Sequence, residues 1–197
     1  MKKKEWVYRT VLYKTMERKE KRLTQLSLAR ELGISLSTVS NSLKTLTKIG
    51  AVVINDMGFR VTDEQKFLTY WASMRNLEKD IQYRTRVNAS VSEIEKSMPS
   101  GIIYTAYSGY KFKFGEVPAD YSEVYIYAGE EMLEEIKTRF PEREGPANLL
   151  ILKTDSNLPA FSNGNIAPLC QLYVDLWNLR EWYAKDFLKA LERRFRW

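Results

Sequence analysis

The chain of 197 residues carries 31 Lys+Arg against 25 Asp+Glu, a net charge of +6, with no histidine and a single cysteine. Without imidazoles there is no Ser-His-Asp or Cys-His catalysis, no histidine-ligated zinc and no histidine pH switch, and one thiol cannot close an intrachain disulfide. With 44% hydrophobic residues the chain can bury an ordinary core, which excludes disordered and collagen-like classes. No apolar run approaches the ~20 residues of a membrane span. The basic start Met1-Lys2-Lys3-Lys4-Glu5-Trp6 lacks the apolar stretch of a secretion signal. A cytoplasmic protein with no membrane partner is expected.

The charge is unevenly placed. Residues 1–62 hold 13 basic and 5 acidic residues, a surplus of +8, whereas residues 63–197 hold 18 and 20, a balance of −2. A polyanion-binding module on a neutral body has this asymmetry, because Lys and Arg neutralising phosphates supply most nucleic-acid affinity.

From Glu5 to about Lys19, Tyr8, Val11, Leu12, Thr15 and Met16 follow the spacing of one buried helical face, with a mostly charged opposite side. After the charged connector Lys19-Glu20-Lys21-Arg22, Thr24 can cap a second helix whose Leu26, Ala29 and Leu32 share one side and which Gly33 ends. Ser35 can cap a third helix, with Leu36, Val39, Leu43 and Leu46 as its buried stripe and Gly50 as its stop. Two short helices joined by a glycine turn predict a helix-turn-helix. Ala51 to Ile54 and Phe59 to Thr62, around Asn55-Asp56-Met57-Gly58, predict a β-hairpin wing behind it.

The opposite face of the third helix is Ser37, Ser40, Asn41, Lys44 and Lys48, and no acidic residue lies between Leu32 and Ile54. Hydroxyls, an amide and ammonium groups suit base edges and phosphates in a major groove. The predicted DNA contacts are therefore Ser35, Ser37, Thr38, Ser40, Asn41, Lys44 and Lys48 on the helix, and Asn55 and Arg60 on the wing. Gly33-Ile34-Ser35, Ser37-Thr38-Val39-Ser40, Leu43, Leu46 and Gly50-Ala51-Val52 together resemble the winged-helix transcription regulators of prokaryotes.

Asp63 is placed to cap a long helix to about Asp80, with Phe67, Leu68, Trp71, Met74, Leu77 and Ile81 at helical intervals; Trp71 in that stripe reads as core rather than as a base-stacking group. Further elements follow: a helix over Val91 to Met98, alternating strand character over Ile102 to Phe114, a strand over Tyr121 to Ala128, a helix over Gly129 to Phe140, a strand over Ala147 to Lys153 and a loop over Pro159 to Gly164. Strand, helix, strand predicts a parallel pair. The expected fold class is α+β: a winged helix-turn-helix over 1–62, a linker helix over 63–90 and a mixed α/β domain over 91–197 ending in a helix.

The body offers no strong catalytic constellation. Glu130, Glu131, Glu134 and Glu135 read as a solvated helical face. Asp120, Glu123 and Lys153 are the candidates for a nucleic-acid-processing enzyme, but Ile151 stands where an acidic residue would precede the lysine. Ser108-Gly109 has no Asp-x-Asp pair after it, and no Gly-rich phosphate loop occurs. No enzyme activity, metal or cofactor is expected. The first alternative to a DNA-binding regulator without effector is a ligand-sensing regulator with the aromatic stretch Tyr104, Tyr107, Tyr110, Phe112 and Phe114 as its pocket, and the enzyme is the second.

Pro168, Gln171-Leu172-Tyr173, Asp175-Leu176, then Arg180-Glu181, Ala184 and Phe187-Leu188 resemble the carboxy-terminal signature of AbiEi-type antitoxins of type IV toxin-antitoxin systems. That resemblance implies repression of its own operon and functional pairing with a nucleotidyltransferase toxin; because a single module buries little DNA surface, two copies, a homodimer, on an inverted repeat of double-stranded DNA in its own promoter are expected. Read from the residues alone, Leu169, Leu172, Tyr173, Leu176, Leu179 and Tyr183 are a buried helical stripe, Cys170 is a small packed residue, and Gln171 and Asp175 suit loop capping or a subunit contact. The basic tail Arg193-Arg194-Phe195-Arg196-Trp197 is a further candidate for backbone contacts, or a frayed end.

Overall fold

A computed structural model describes residues 1–195; Arg196 and Trp197 of the tail lie outside the described residues. The architecture is α+β with an N-terminal winged helix-turn-helix. Helix α1 (Lys3–Leu12) runs into a π-helical turn over Tyr13–Glu17, followed by α2 (Gln25–Leu32), α3 (Leu36–Lys48) and the wing strands β1 (Val52–Asn55) and β2 (Gly58–Val61). The expected stripe Tyr8, Val11, Leu12, Thr15 and Met16 is buried. The "charged" side of that helix is not all solvated, since Glu5 and Arg9 are buried as well.

The helix expected over the linker 63–90 is shorter. Asp63 caps it as predicted, Oδ1 accepting from the Lys66 amide at 2.7 Å, but α4 covers only Glu64–Met74. Arg75 leaves helical backbone at φ −67°, ψ 142°. Asn76 caps a 3-10 turn over Leu77–Asp80, and strand β3 (Ile81–Thr85) follows. This strand belongs to the second sheet, so the sheet domain begins within the supposed linker.

That sheet has the order β3-β6-β5-β4. Strand β4 (Ile103–Thr105) pairs antiparallel with β5 (Val124–Ala128), which pairs parallel with β6 (Leu149–Lys153), while β3 runs antiparallel to β6. The parallel pair needs a crossover, and α7 (Glu130–Arg139) supplies it. One face of the sheet buries Val124, Ile126, Leu149 and Ile151 with Ile94 of α5 (Val91–Lys96) and Leu133 and Ile136 of α7. The other face, with Tyr125, Tyr127, Leu150 and Leu152, belongs to a core that continues without a break into Val7, Leu28, Leu43 and Trp71 of the N-terminal third.

Residues Ile102 to Phe114 are not a strand pair. Only β4 is extended; the chain turns at Ala106, φ 51°, into α6 (Ala106–Phe114). Tyr107, Tyr110 and Phe114 are the helical set, and it was the 110, 112, 114 alternation that mimicked a strand. Gly109 is needed there for close packing: a Cβ would stand 2.5 Å from Leu172 Cδ2 and 3.0 Å from the Tyr104 carbonyl oxygen. Pro159 to Gly164 is likewise not all loop, since Leu158–Phe161 forms a helical turn, α8.

The last segment forms α9 (Leu169–Trp177) and α10 (Ala184–Phe195). Helix α9 lies between the sheet and the winged helix, packing on α4, α6, α1 and the π-helical turn. Cys170 is a packed free thiol, with burial pushing its pKa well up. Gln171 and Asp175 neither cap a loop nor reach an outer surface; both are fully buried. Asp175 accepts hydrogen bonds from Arg75 Nε at 3.3 Å, Tyr127 at 2.7 Å, Thr105 at 2.7 Å and Gln171 at 2.9 Å. Arg75 also donates to Glu5 at 3.2 Å, Asp80 at 2.6 Å and the Tyr127 hydroxyl at 3.1 Å. Residues of α1, the 3-10 turn, β5 and α9 therefore meet at one guanidinium at the end of α4, and Thr105 of β4 joins them through Asp175. Burial pushes the Asp175 carboxyl up, against the opposing pull of Arg75 and its hydrogen-bond donors.

A second buried guanidinium reinforces the first. Arg9, with no exposed surface, donates through both terminal nitrogens to Asp155, at 2.8 and 2.5 Å. Burial raises the Asp155 pKa, but the hydrogen bonds and charge of Arg9 reverse this and hold it below its usual value. Glu17 adds a third tie by accepting from the Leu169 amide at 2.8 Å, at the open N-terminus of α9.

Asp175→Ala leaves the Arg75 charge short of its partner in a dry site and is expected to lose about 3–5 kcal/mol in urea unfolding. For Asp155 the folded pKa lies below the unfolded one. Its contribution is thus complete above the unfolded value of about 3.9 and is lost as pH falls through the folded value. The unfolding midpoint is expected to drop between about pH 5 and pH 2, and less steeply in Asp155→Asn.

Candidate nucleic-acid interface

Helices α2 and α3 are held by the local chemistry that their sequence dictates. Thr24 Oγ1 accepts from the Ser27 amide at 3.1 Å, Gly33 closes α2 in the left-handed region at φ 60°, and Ser35 Oγ accepts from the Thr38 amide at 3.1 Å. The buried stripe of α3 is Val39, Leu43 and Leu46, with Ser42 beside it. Tyr8 of α1 donates from its hydroxyl to the Ser42 carbonyl at 3.0 Å and so fixes α3 against α1.

Two expected core residues lie outside. Leu36 is 49% exposed and Leu26 50%. The buried side of α2 is Leu28, Ala29 and Leu32, and it is Ile34, in the turn, that packs on the core before α3 begins. Leu36 therefore shares the open face of α3.

Every residue singled out for DNA contact is exposed or half-buried. Ser35, Ser37, Asn41, Lys44 and Lys48 are exposed, and Thr38 and Ser40 half-buried. Ser35 is committed to its cap and joins Ser37 Oγ at 2.9 Å and Thr38 Oγ1 at 2.8 Å in a hydroxyl cluster. By contrast the side chains of Ser40, Asn41, Lys44 and Lys48 have no hydrogen-bond or ion-pair partner among the described residues. An ordinary surface helix pairs its lysines with nearby carboxylates; here the donors and acceptors remain open to an external ligand. Arg18, Lys19, Lys21 and Arg22, before α2, are exposed too and extend the positive surface.

The wing is a two-stranded antiparallel hairpin, Val52 opposite Val61 and Asn55 opposite Gly58. Asn55 Oδ1 accepts from the Met57 amide at 3.1 Å, which shapes the tip and occupies part of its side chain. Arg60 is exposed opposite Val53. Leu23 bridges to Phe59 through amide and carbonyl hydrogen bonds of 3.0 and 2.8 Å, adding a short third edge that the sequence reading missed. Gly58, at φ 136°, permits that edge, since a Cβ would stand 2.3 Å from the Leu23 carbonyl oxygen.

The other candidate sites do not assemble. Tyr104, Tyr107 and Tyr110 are buried, and Tyr107 packs with Tyr183 and Phe187 at ring distances of 5.1 and 4.9 Å, so the tyrosines of the aromatic stretch fill a core and do not converge on one pocket. Burial pushes the Tyr104 hydroxyl up to about 12. Phe112, the exception, is 42% exposed. Glu123 precedes β5, whereas Lys153 ends β6 opposite Ala128. Five residue steps of strand, about 16 Å, separate them, and Lys153 pairs with Glu130 at 3.4 Å. Asp120 lies in the loop before Glu123, at the end of the sheet away from Lys153. Among the described residues no cluster of His, Cys, Asp or Glu is placed to hold a metal ion, and no helix is long and apolar enough to cross a membrane.

Residues 18–53 match the model of a family described as winged helix-turn-helix DNA-binding. The matched segment runs from the end of the π-helical turn into β1 and includes all of α2 and α3. No curated protein and no solved structure matches the chain. Gly58→Ala is expected to prise Leu23 from Phe59. Amide exchange at both positions should then accelerate about tenfold or more, for a cost of ~1–2 kcal/mol, while α9 amides stay protected.

Proposed function

We propose that the chain is a sequence-specific DNA-binding transcription regulator whose α3 enters the major groove. The observation that carries this reading is the face Leu36, Ser37, Ser40, Asn41, Lys44 and Lys48: exposed or half-buried, free of acidic residues, and with its amide and ammonium groups unpaired. Asn41 is of the type that pairs bidentately with adenine, Leu36 offers apolar contact to a thymine methyl, and Lys44 and Lys48 reach guanine or phosphate. Arg60 and Asn55 on the wing hold the flanking backbone. Because a single module buries little DNA surface, two copies on an inverted repeat in the chain's own promoter supply the affinity.

The finer reading is an antitoxin-like autorepressor, functionally paired with a nucleotidyltransferase toxin. It is supported by the AbiEi-type run from Pro168 to Leu188 behind a winged helix. In the fold that run supplies Gln171 and Asp175 to the network around Arg75 and Phe187 to the core. A cognate toxin gene beside this one, whose toxicity on induction is relieved by co-expression of this chain, is the result expected for that assignment.

Binding to the upstream DNA should fall linearly with log salt. Asn41→Ala is expected to cost about 1–3 kcal/mol on the preferred site and little on random DNA. Lys48→Ala should weaken both alike and reduce the salt slope by about one. Equal affinity of the wild-type chain for specific and random DNA at physiological salt would overturn the proposal.

A further inference from the structure

Between the segment Arg75 to Glu78 that follows α4 and the turn that joins α9 to α10 lies a cleft of about 670 Å³, on the sheet face opposite α5 and α7. Its floor is a row across three strands, Arg84, Leu150 and Tyr125, which are direct partners in the sheet register. Asn178 holds the rim turn in place by donating to the carbonyls of Ala72 at 3.2 Å and Val174 at 2.9 Å. The cleft is thus bounded by fixed elements rather than by a loose loop.

Three guanidiniums and three carboxylates line it, and half of them are satisfied within the protein. Arg84 pairs with Glu78 at 2.5 Å, and Arg75 is engaged in its buried network. What remains is Glu123, Glu181 and Arg180. Glu181 accepts from the hydroxyls of Tyr107 at 3.0 Å and Tyr125 at 3.5 Å, and Glu123 accepts from Tyr183. An ionised carboxylate offers about four lone-pair sites, so both retain acceptor capacity toward the cleft. Arg180 is exposed and has no partner for its donors among the described residues.

We propose that this cleft binds a small zwitterion of amino-acid size, its ammonium between Glu123 and Glu181 and its carboxylate on Arg180. Two carboxylates facing one half-buried space repel each other unless a cation stands between them. Burial pushes the Glu123 carboxyl up and the Glu181 charge adds to that push, the condition that an ammonium relieves. A guanidinium with a free fork is the matching receptor for a carboxylate. This site is separate from the aromatic stretch, which packs as core, and from the α3 surface. Arg75 forms part of its wall while donating to Glu5 of α1, so occupancy acts on the contact that holds the winged helix to the sheet.

The test is differential scanning fluorimetry of the full chain with each of the twenty L-amino acids, alongside N-acetyl derivatives and decarboxylated amines. At least one amino acid is expected to raise Tm by about 5–10 °C at a hundred times Kd, while its N-acetyl and decarboxylated counterparts do not. Arg180→Ala removes an exposed, unpaired side chain, and Glu181→Gln keeps an acceptor for Tyr107; both should fold with the wild-type Tm and lose the shift at least tenfold in ligand affinity. No shift with any amino acid, or an undiminished shift in Arg180→Ala, overturns the proposal. The readout contains no DNA and stands or falls independently of the regulator reading. Titrating the active amino acid into the DNA complex then reads the coupling.

Discussion

A guanidinium buried where three carboxylates and a tyrosine hydroxyl converge is the constraint on which the rest of the molecule depends. Arg75 sits at the end of α4, and its side chain reaches Glu5, Asp80, Asp175 and Tyr127 at once. Removing such a charge from water is expensive unless every partner is in place. The site is therefore complete only when α1, α4, β5 and α9 have all arrived. That requirement makes the winged helix and the sheet domain one folding unit, with a continuous apolar core around the polar cluster.

The placement of α9 follows from the same constraint. Its Gln171 and Asp175 face the polar cluster while Leu172, Val174 and Leu176 fill the core on its other sides. Arg9 with Asp155 and Glu17 with the Leu169 amide repeat the arrangement on either side of it, each joining a residue of the first 17 to the carboxy-terminal part. A helix-turn-helix attached this way does not swing on a tether. Any motion of α3 relative to the sheet must act on buried charged contacts, those of Arg75 with Glu5 among them.

The helix-turn-helix around α3 was largely legible in advance because its determinants are local. A serine cap, a glycine in the left-handed region and a 3.6-residue apolar period act within a few residues of one another. The misreadings also have local causes. Leu36 fits the period of the stripe, but the two-residue turn lets Ile34 fill the core first, leaving Leu36 outside. The stretch from Ile103 to Phe114 alternates in its second half, yet it forms α6, whose Gly109 packs tightly on Leu172. Leu23 beside Phe59 carries no periodic signal, because an isolated pair of backbone hydrogen bonds leaves no trace in side-chain pattern.

By itself the sequence determined the helix-turn-helix and wing, the parallel strand pair, the burial of Trp71 and Cys170 and the position of the basic surplus. Each of these follows from periodicity, caps, turn residues or a charge count, which are short-range or additive properties. Only the tertiary structure decided that Glu5, Arg9, Gln171 and Asp175 are interior, that residues 81–85 join a sheet rather than extend a helix, and that Glu123 and Lys153 lie at opposite ends of neighbouring strands. A charged side chain looks alike in sequence whether it is solvated or buried. What separates the two is the arrival of its partner from far along the chain, 146 residues away in the case of Asp155 and Arg9, and such pairings are fixed by packing in three dimensions.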